Sequence, residues 1–242
     1  MILEDLNPDF KTMKYAQGLT YDQLQESVKS LAYFHALSYA YGQAQNQRFS
    51  ELKCQFINYL KDDYESTFEL ATKDIEKIDP DLAKKVFNLG QKWLEMFQKV
   101  LEDPLDDRFL SHGDLWSGNL MFNLNTKVKM IDWQFFCSAN PYLDFCVLVY
   151  SSAAPDLTES WIDPLIQVYF QQFLKTCLDF KIEIPFTSKE FKMECETKGF
   201  LACIAFFMFA YDMICNDPTF FQRLVWMFRK AKEFSPEFFK NQ

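Results

Sequence analysis

Leu82, Val86, Leu89, Trp93, Phe97 and Val100 recur at intervals of three or four residues. Only an α-helix sets residues so spaced on one face, and a stripe this long must be buried against other helices. Asp79-Pro80 opens the segment, with proline at the first helical position where its missing N–H is no loss, and Pro104 closes it. A second stripe, Leu24, Val28, Leu31, His35 and Tyr39, follows Thr20 and Gln23, which have the spacing of a capping box. Further helical patterns start at Thr158, at Thr187 with Glu190 as another capping box, and at Asp217-Pro218, ending near Ser235-Pro236. A helix over residues 51–70 is expected as well, on a less clear face. Six glycines in 242 residues leave little punctuation for many tight hairpins, while 27 phenylalanines supply core. A mainly α fold with a small β-hairpin follows.

Residues 108–134 break the helical pattern. "RFLSHG", "NLMF" and "KVKMIDW" read as short strands, the last two joined through "NLNT" as a hairpin. "MILEDL" reads as a strand end, followed by the turn "NPDF". No repeat, low-complexity run or linker divides residues 1–242, so one domain is expected.

The net charge of −9 argues against a nucleic-acid backbone or an anionic membrane as the main partner, and a bound phosphate would need a metal or local donors. The cysteines at 54, 137, 146, 177, 195, 203 and 215 are odd in number and form no Cys-x-x-Cys pair. They read as buried thiols in a reducing compartment. The longest apolar run, residues 200–211, falls short of the roughly 20 residues that span a bilayer. No basic segment followed by an apolar one opens the chain. These features predict a cytoplasmic protein.

The run "SHGDLWSGN" at 111–119 gathers polar groups into one loop, and Asp132 ends the hairpin that follows. Hard cations such as magnesium take oxygen ligands, usually one or two from protein beside substrate phosphates, and Asn119 with Asp132 supplies that set. Asp114 remains as an oxygen base beside the metal. Gly113 and Gly118 let the loop adopt backbone angles closed to other residues. His112 reads as a structural histidine fixing the loop through a backbone hydrogen bond, and His35 as a satisfied core residue. Two histidines and no paired cysteines leave zinc chemistry without support. Trp116 and Trp133 flank the loop, with core packing expected for Trp133. The helix holding "FFMFAY" reads as core that can border an acceptor pocket.

"HGDLWSGN" followed by "MIDWQ" resembles the catalytic loop and metal motif of the aminoglycoside phosphotransferase and choline kinase group, relatives of the protein kinases. Within that group it most resembles the ecdysteroid kinase-like, or CHK kinase-like, proteins. The resemblance implies the C-terminal lobe of a protein-kinase-like α+β fold, with the β-rich N-terminal lobe missing and residues 1–7 as the hinge. It implies that backbone near Glu4 and Leu6 binds adenine, that Asp114 accepts the proton of a substrate hydroxyl, and that Asn119 and Asp132 hold Mg2+. Asp144 would brace the catalytic loop through backbone N–H groups. The implied activity is transfer of the ATP γ-phosphoryl group to a small-molecule alcohol, steroid-like or choline-like, with the first preferred. If the N-terminal lobe is absent, a partner is expected over the open cleft. The alternative is then an inactive pseudokinase acting as a binding or scaffold module.

Overall fold

The stripes fold as their spacing requires. The computed structural model describes residues 6–14, 17–55, 58, 64–101, 106–124, 127–154, 159–214, 216–234 and 236–239. After a two-residue strand, β1 (Lys11–Thr12), comes α1 (Tyr21–Gln45), whose Thr20 hydroxyl accepts the Gln23 N–H while the Gln23 side chain accepts the Thr20 N–H. Leu24, Val28, Leu31, His35 and Tyr39 are all buried. Helices α2 (Tyr64–Glu76) and α3 (Pro80–Leu101) pack against each other, and the Asp79 side chain accepts the Leu82 N–H at 3.0 Å to start the latter.

The helix expected over 51–70 is formed at 64–70, within α2, but its first part is corrected. Residues 51–55 form turns and extended chain. Leu52 N–H bonds to the Phe49 carbonyl, and the Leu52 carbonyl is taken by Ser138 N–H at 2.6 Å, so this backbone is tied across to another segment rather than along a helix.

The β structure comprises β2 (Leu110–Ser111), β3 (Leu120–Phe122), β4 (Val128–Met130) and β5 (Cys137–Ser138). The expected hairpin is present: β3 and β4 are antiparallel with Leu120 opposite Met130 and Phe122 opposite Val128. Two pairings lie beyond the sequence reading. β1 adds to β3 with Lys11 opposite Phe122, and β2 pairs with β5 with Ser111 opposite Cys137.

Helix α4 (Pro141–Ser152) carries no stripe, because all twelve of its residues are buried. Around it stand α1, α5 (Ile162–Asp179), α6 (Ser188–Glu194), α7 (Phe200–Ile214) and α8 (Pro218–Phe234). A π-helical turn, Cys195–Gly199, joins α6 to α7. The Thr187–Glu190 capping box is formed as expected. No helix among the described residues is long and apolar enough to cross a membrane.

Candidate active site

The loop between β2 and β3 is held from below by one carboxylate. Asp144, in the first turn of α4, accepts the His112 N–H at 2.6 Å and the Gly113 N–H at 3.0 Å. This is the brace that the resemblance implied. His35 Nε2 meets the same carboxylate at 3.2 Å, and since a carboxylate only accepts, that nitrogen donates. The other ring nitrogen of His35 meets the Tyr169 hydroxyl at 2.8 Å. Thus α1, α4 and α5 converge on two consecutive loop amides. Burial by itself would raise the Asp144 pKa, but the hydrogen bond and charge of His35, with His112, hold it below the ordinary range.

His112 is structural, as expected. Its Nε2 donates to the Ile131 carbonyl at 2.8 Å, its Nδ1 faces the Asp114 N–H at 3.4 Å, and burial pushes its pKa down. Both ring nitrogens are engaged, which leaves no base function for it. Further ties run from Ser111 Oγ to the Ala139 carbonyl and from Ser117 N–H to Ser152 Oγ. Gly113 has φ +81°, and a β-carbon there would overlap the Phe135 carbonyl. Gly118 corrects the expectation of unusual backbone angles: its φ is not positive, and glycine is needed there because the Trp116 ring lies against it.

Above this base stand the three proposed functional residues. Asp114 is 7% exposed. Asn119 Nδ2 donates to the Asp114 backbone carbonyl at 2.8 Å and to its Oδ2 at 3.0 Å. Burial raises the Asp114 pKa from 3.8 to about 7; the Asn119 hydrogen bond opposes the shift, and the charges of Asp132 and Asp144 add to it. The Ile131 N–H bonds to the Asn119 carbonyl at 3.0 Å, so the β3–β4 hairpin sets Asp132 beside the loop. Asp132 is exposed, with φ +60°, a left-handed conformation that aspartate tolerates better than most residues and that recurs at functional sites.

The oxygen donors suit magnesium. Both bonds of the Asn119 amide run through its nitrogen, which leaves its oxygen for a cation, and the exposed Asp132 carboxylate is a hard ligand. Among the described residues no group of three or more His, Cys, Asp or Glu could hold a metal. A magnesium here would therefore complete its shell with water and phosphate oxygens, its usual habit.

Trp133 departs from the core packing expected of it. It is 37% exposed, with one face on His112 at 4.5 Å and an edge on Phe34 at 5.0 Å. Trp116 is half-buried and packs on Phe206 at 5.6 Å. Phe206 also lines a cavity of about 40 Å³ beside Gly113 and Asp114, while Phe207 lies fully in the core. Of the two residues expected at adenine, Glu4 lies outside the described residues. Leu6 is half-buried, and its carbonyl accepts the Phe10 N–H at 2.9 Å. Sequence reasoning missed Ser111, Ser152 and Tyr169, for which no local motif gives a signal.

A helix-rich body with small sheets, carrying an Asp-Asn loop and a following aspartate on a hairpin, defines the mainly α part of a kinase-like fold. The chain belongs to the ecdysteroid kinase-like family, whose profile matches residues 1–182. That span includes Asp114, Asn119, Asp132 and Asp144. No curated protein matches the chain. Membership places it in a class of kinase-like small-molecule phosphotransferases.

Proposed function

We infer that the protein transfers the γ-phosphoryl group of ATP to a hydroxyl of a small-molecule alcohol. The observation that carries this reading is Asp114: a buried carboxyl whose pKa is raised to about 7 and whose Oδ2 accepts from the Asn119 amide nitrogen. A general base works best when its pKa lies near the operating pH. Asn119 occupies Oδ2, so Oδ1 receives the proton of the acceptor hydroxyl. The acceptor oxygen forms a bond to the γ-phosphorus as the bond to the β–γ bridging oxygen breaks, leaving ADP. Bound through Asn119 and Asp132, Mg2+ would supply neutralisation of phosphate charge. The cavity of about 40 Å³ next to Asp114 admits a hydroxyl but not the body of an acceptor.

On this reading residues 1–242 act as a kinase-like C-terminal lobe in the cytoplasm, with 1–7 as hinge and 108–134 as catalytic loop and metal-binding hairpin. Family membership favours a steroid-like over a choline-like acceptor. Thermal protection by an ecdysteroid in the presence of ATP and Mg2+ supports that choice, and protection by choline alone overturns it.

The deciding experiment is phosphoryl transfer from γ-labelled ATP to an ecdysteroid by the full-length protein. Asp114→Asn lowers turnover by about 10²–10⁴-fold while ATP affinity stays close to wild type, and Asp132→Asn removes the magnesium-dependent part of ATP binding. Equal turnover in wild type and Asp114→Asn rules out the base assignment. ATP binding without turnover in wild type points to the pseudokinase alternative.

A further inference from the structure

The cavity beside Asp114 is walled mostly by apolar side chains from three helices: Phe97 of α3, Leu143 and Val147 of α4, and Ala202, Ala205 and Phe206 of α7. Its outer end lies at Cys54, Leu101 and Gly113, which are half-buried, while the other walls are buried.

The walls are held by contacts that need no occupant. The Trp93 indole of α3 donates to the Leu201 carbonyl at 3.3 Å, which fixes the register of α7 against α3. Just before α7, a β-carbon on Gly199 would overlap Cys146 Sγ, so the chain there meets α4 at its closest approach. Phe206 is backed by the Trp116 ring at 5.6 Å. A space bounded in this way keeps its shape before any ligand enters.

Its size is set by two small residues. Ala202 and Ala205 lie three positions apart, on one face of α7, and each ends at its β-carbon where a longer side chain would reach into the space. The volume of about 40 Å³ is about a quarter of the roughly 150 Å³ that holds benzene, which leaves room for a hydroxyl and one or two carbons.

Three polar side chains also line the cavity, and two are committed to the frame. Asp144 accepts from the His112 and Gly113 amides and from His35, and Ser111 Oγ donates to the Ala139 carbonyl. Asp114 gives one oxygen to Asn119. A hydroxyl entering the cavity therefore finds its charged acceptor in Asp114, with the neutral Ser111 oxygen as the weaker partner. An ammonium group would have to shed its water against apolar walls, a cost that a hydroxyl largely avoids.

We propose that this cavity seats the carbinol end of the acceptor and that Ala202 and Ala205 set its limit: a hydroxyl on an unbranched carbon enters, and one on a fully branched carbon is refused. The inference rests on the phosphoryl-transfer reading of Asp114 and adds to it the residues that choose among alcohols.

The test is an NMR titration of the protein, without nucleotide, with 1-propanol and with tert-butanol, followed by the methyl signals of Ala202 and Ala205. 1-Propanol should bind at least about tenfold tighter, the scale on which a pocket rejects extra methyl groups. Ala205→Val puts two methyl groups into empty space and should weaken 1-propanol binding at least about tenfold without lowering the unfolding temperature. Val147→Ala removes two methyl groups from another wall and should bring tert-butanol binding up to that of 1-propanol. Equal binding of the two alcohols in wild type, no binding of either, tighter binding of propylammonium than of 1-propanol, a lowered unfolding temperature in Ala205→Val, or an unaltered preference in Val147→Ala overturns the proposal. Because no ATP is present, failure of the titration leaves the turnover test of Asp114 intact, and failure of that test leaves the size limit standing.

Discussion

Replacing Asp114 by asparagine should make the metal-free protein more stable while abolishing its proposed activity. The carboxyl titrates at about 7 instead of 3.8 because the fold takes its charge out of water. A gap of about three units at about 1.4 kcal/mol per unit means that ionised Asp114 opposes folding by about 4 kcal/mol. Asparagine keeps a similar shape and carries no charge. The sign follows from a raised carboxyl pKa: below the unfolded value of 3.8 both states are protonated and the two proteins are alike, between 3.8 and about 7 the variant gains steadily, and above 7 the gain is constant. Allowing for relaxation around the new amide, the gain at pH 8 should be about 2–4 kcal/mol, or roughly 5–15 °C in unfolding temperature for a chain of this size. Near pH 4 it should shrink below about 1 kcal/mol. Urea unfolding of both proteins in a chelator, at pH 4 and pH 8, measures it. A variant no more stable than wild type at pH 8 refutes the claim that the site holds a strained charge. A gain independent of pH would trace the effect to packing instead.

The remaining expectations concern the frame of the site. Asp144→Ala leaves two loop amides and His35 without their acceptor in the core, and should cost about 3–5 kcal/mol in denaturant unfolding; a loss below about 1 kcal/mol would mean that water replaces the brace. The depressed Asp144 pKa contributes stability that is full above the ordinary carboxylate range and lost as pH falls through the lower folded value. Circular dichroism should therefore show the wild type losing stability below about pH 4, more steeply than Asp144→Asn. Gly113→Ala places a β-carbon against the Phe135 carbonyl at a positive φ and should destabilise by at least about 1–3 kcal/mol, and unchanged thermal unfolding would contradict the backbone angle.

The sequence revealed what is local. The stripes of α1 and α3 and the capping boxes at Thr20 and Thr187 are short-range patterns, and they fold as read. The polar cluster at 111–119 was legible for the same reason. Helix α4 was not, since a helix buried on every side shows no period; only Asn140-Pro141, which repeats the Asp79-Pro80 type of start, hinted at it. Chain reversals that depend on distant backbone partners, such as the bond from Ser138 to Leu52, leave no trace in composition. The line from Tyr169 through His35 to Asp144 joins residues 134 and 109 positions apart, which no spacing rule can detect.

That line also sets a timescale for part of the site. The amides of His112 and Gly113 are pinned to the α4 carboxylate that His35 of α1 also holds, with Tyr169 of α5 behind that histidine, so their hydrogens should exchange with solvent only when the core itself opens. Asp132 is exposed, and its tie to that loop runs through its neighbours, the Ile131 carbonyl on His112 Nε2 and the Trp133 ring beside His112. Slow exchange at these two amides would mark the loop beneath Asp114 as the stationary part of the candidate site, against which any movement of a bound ligand would be referred.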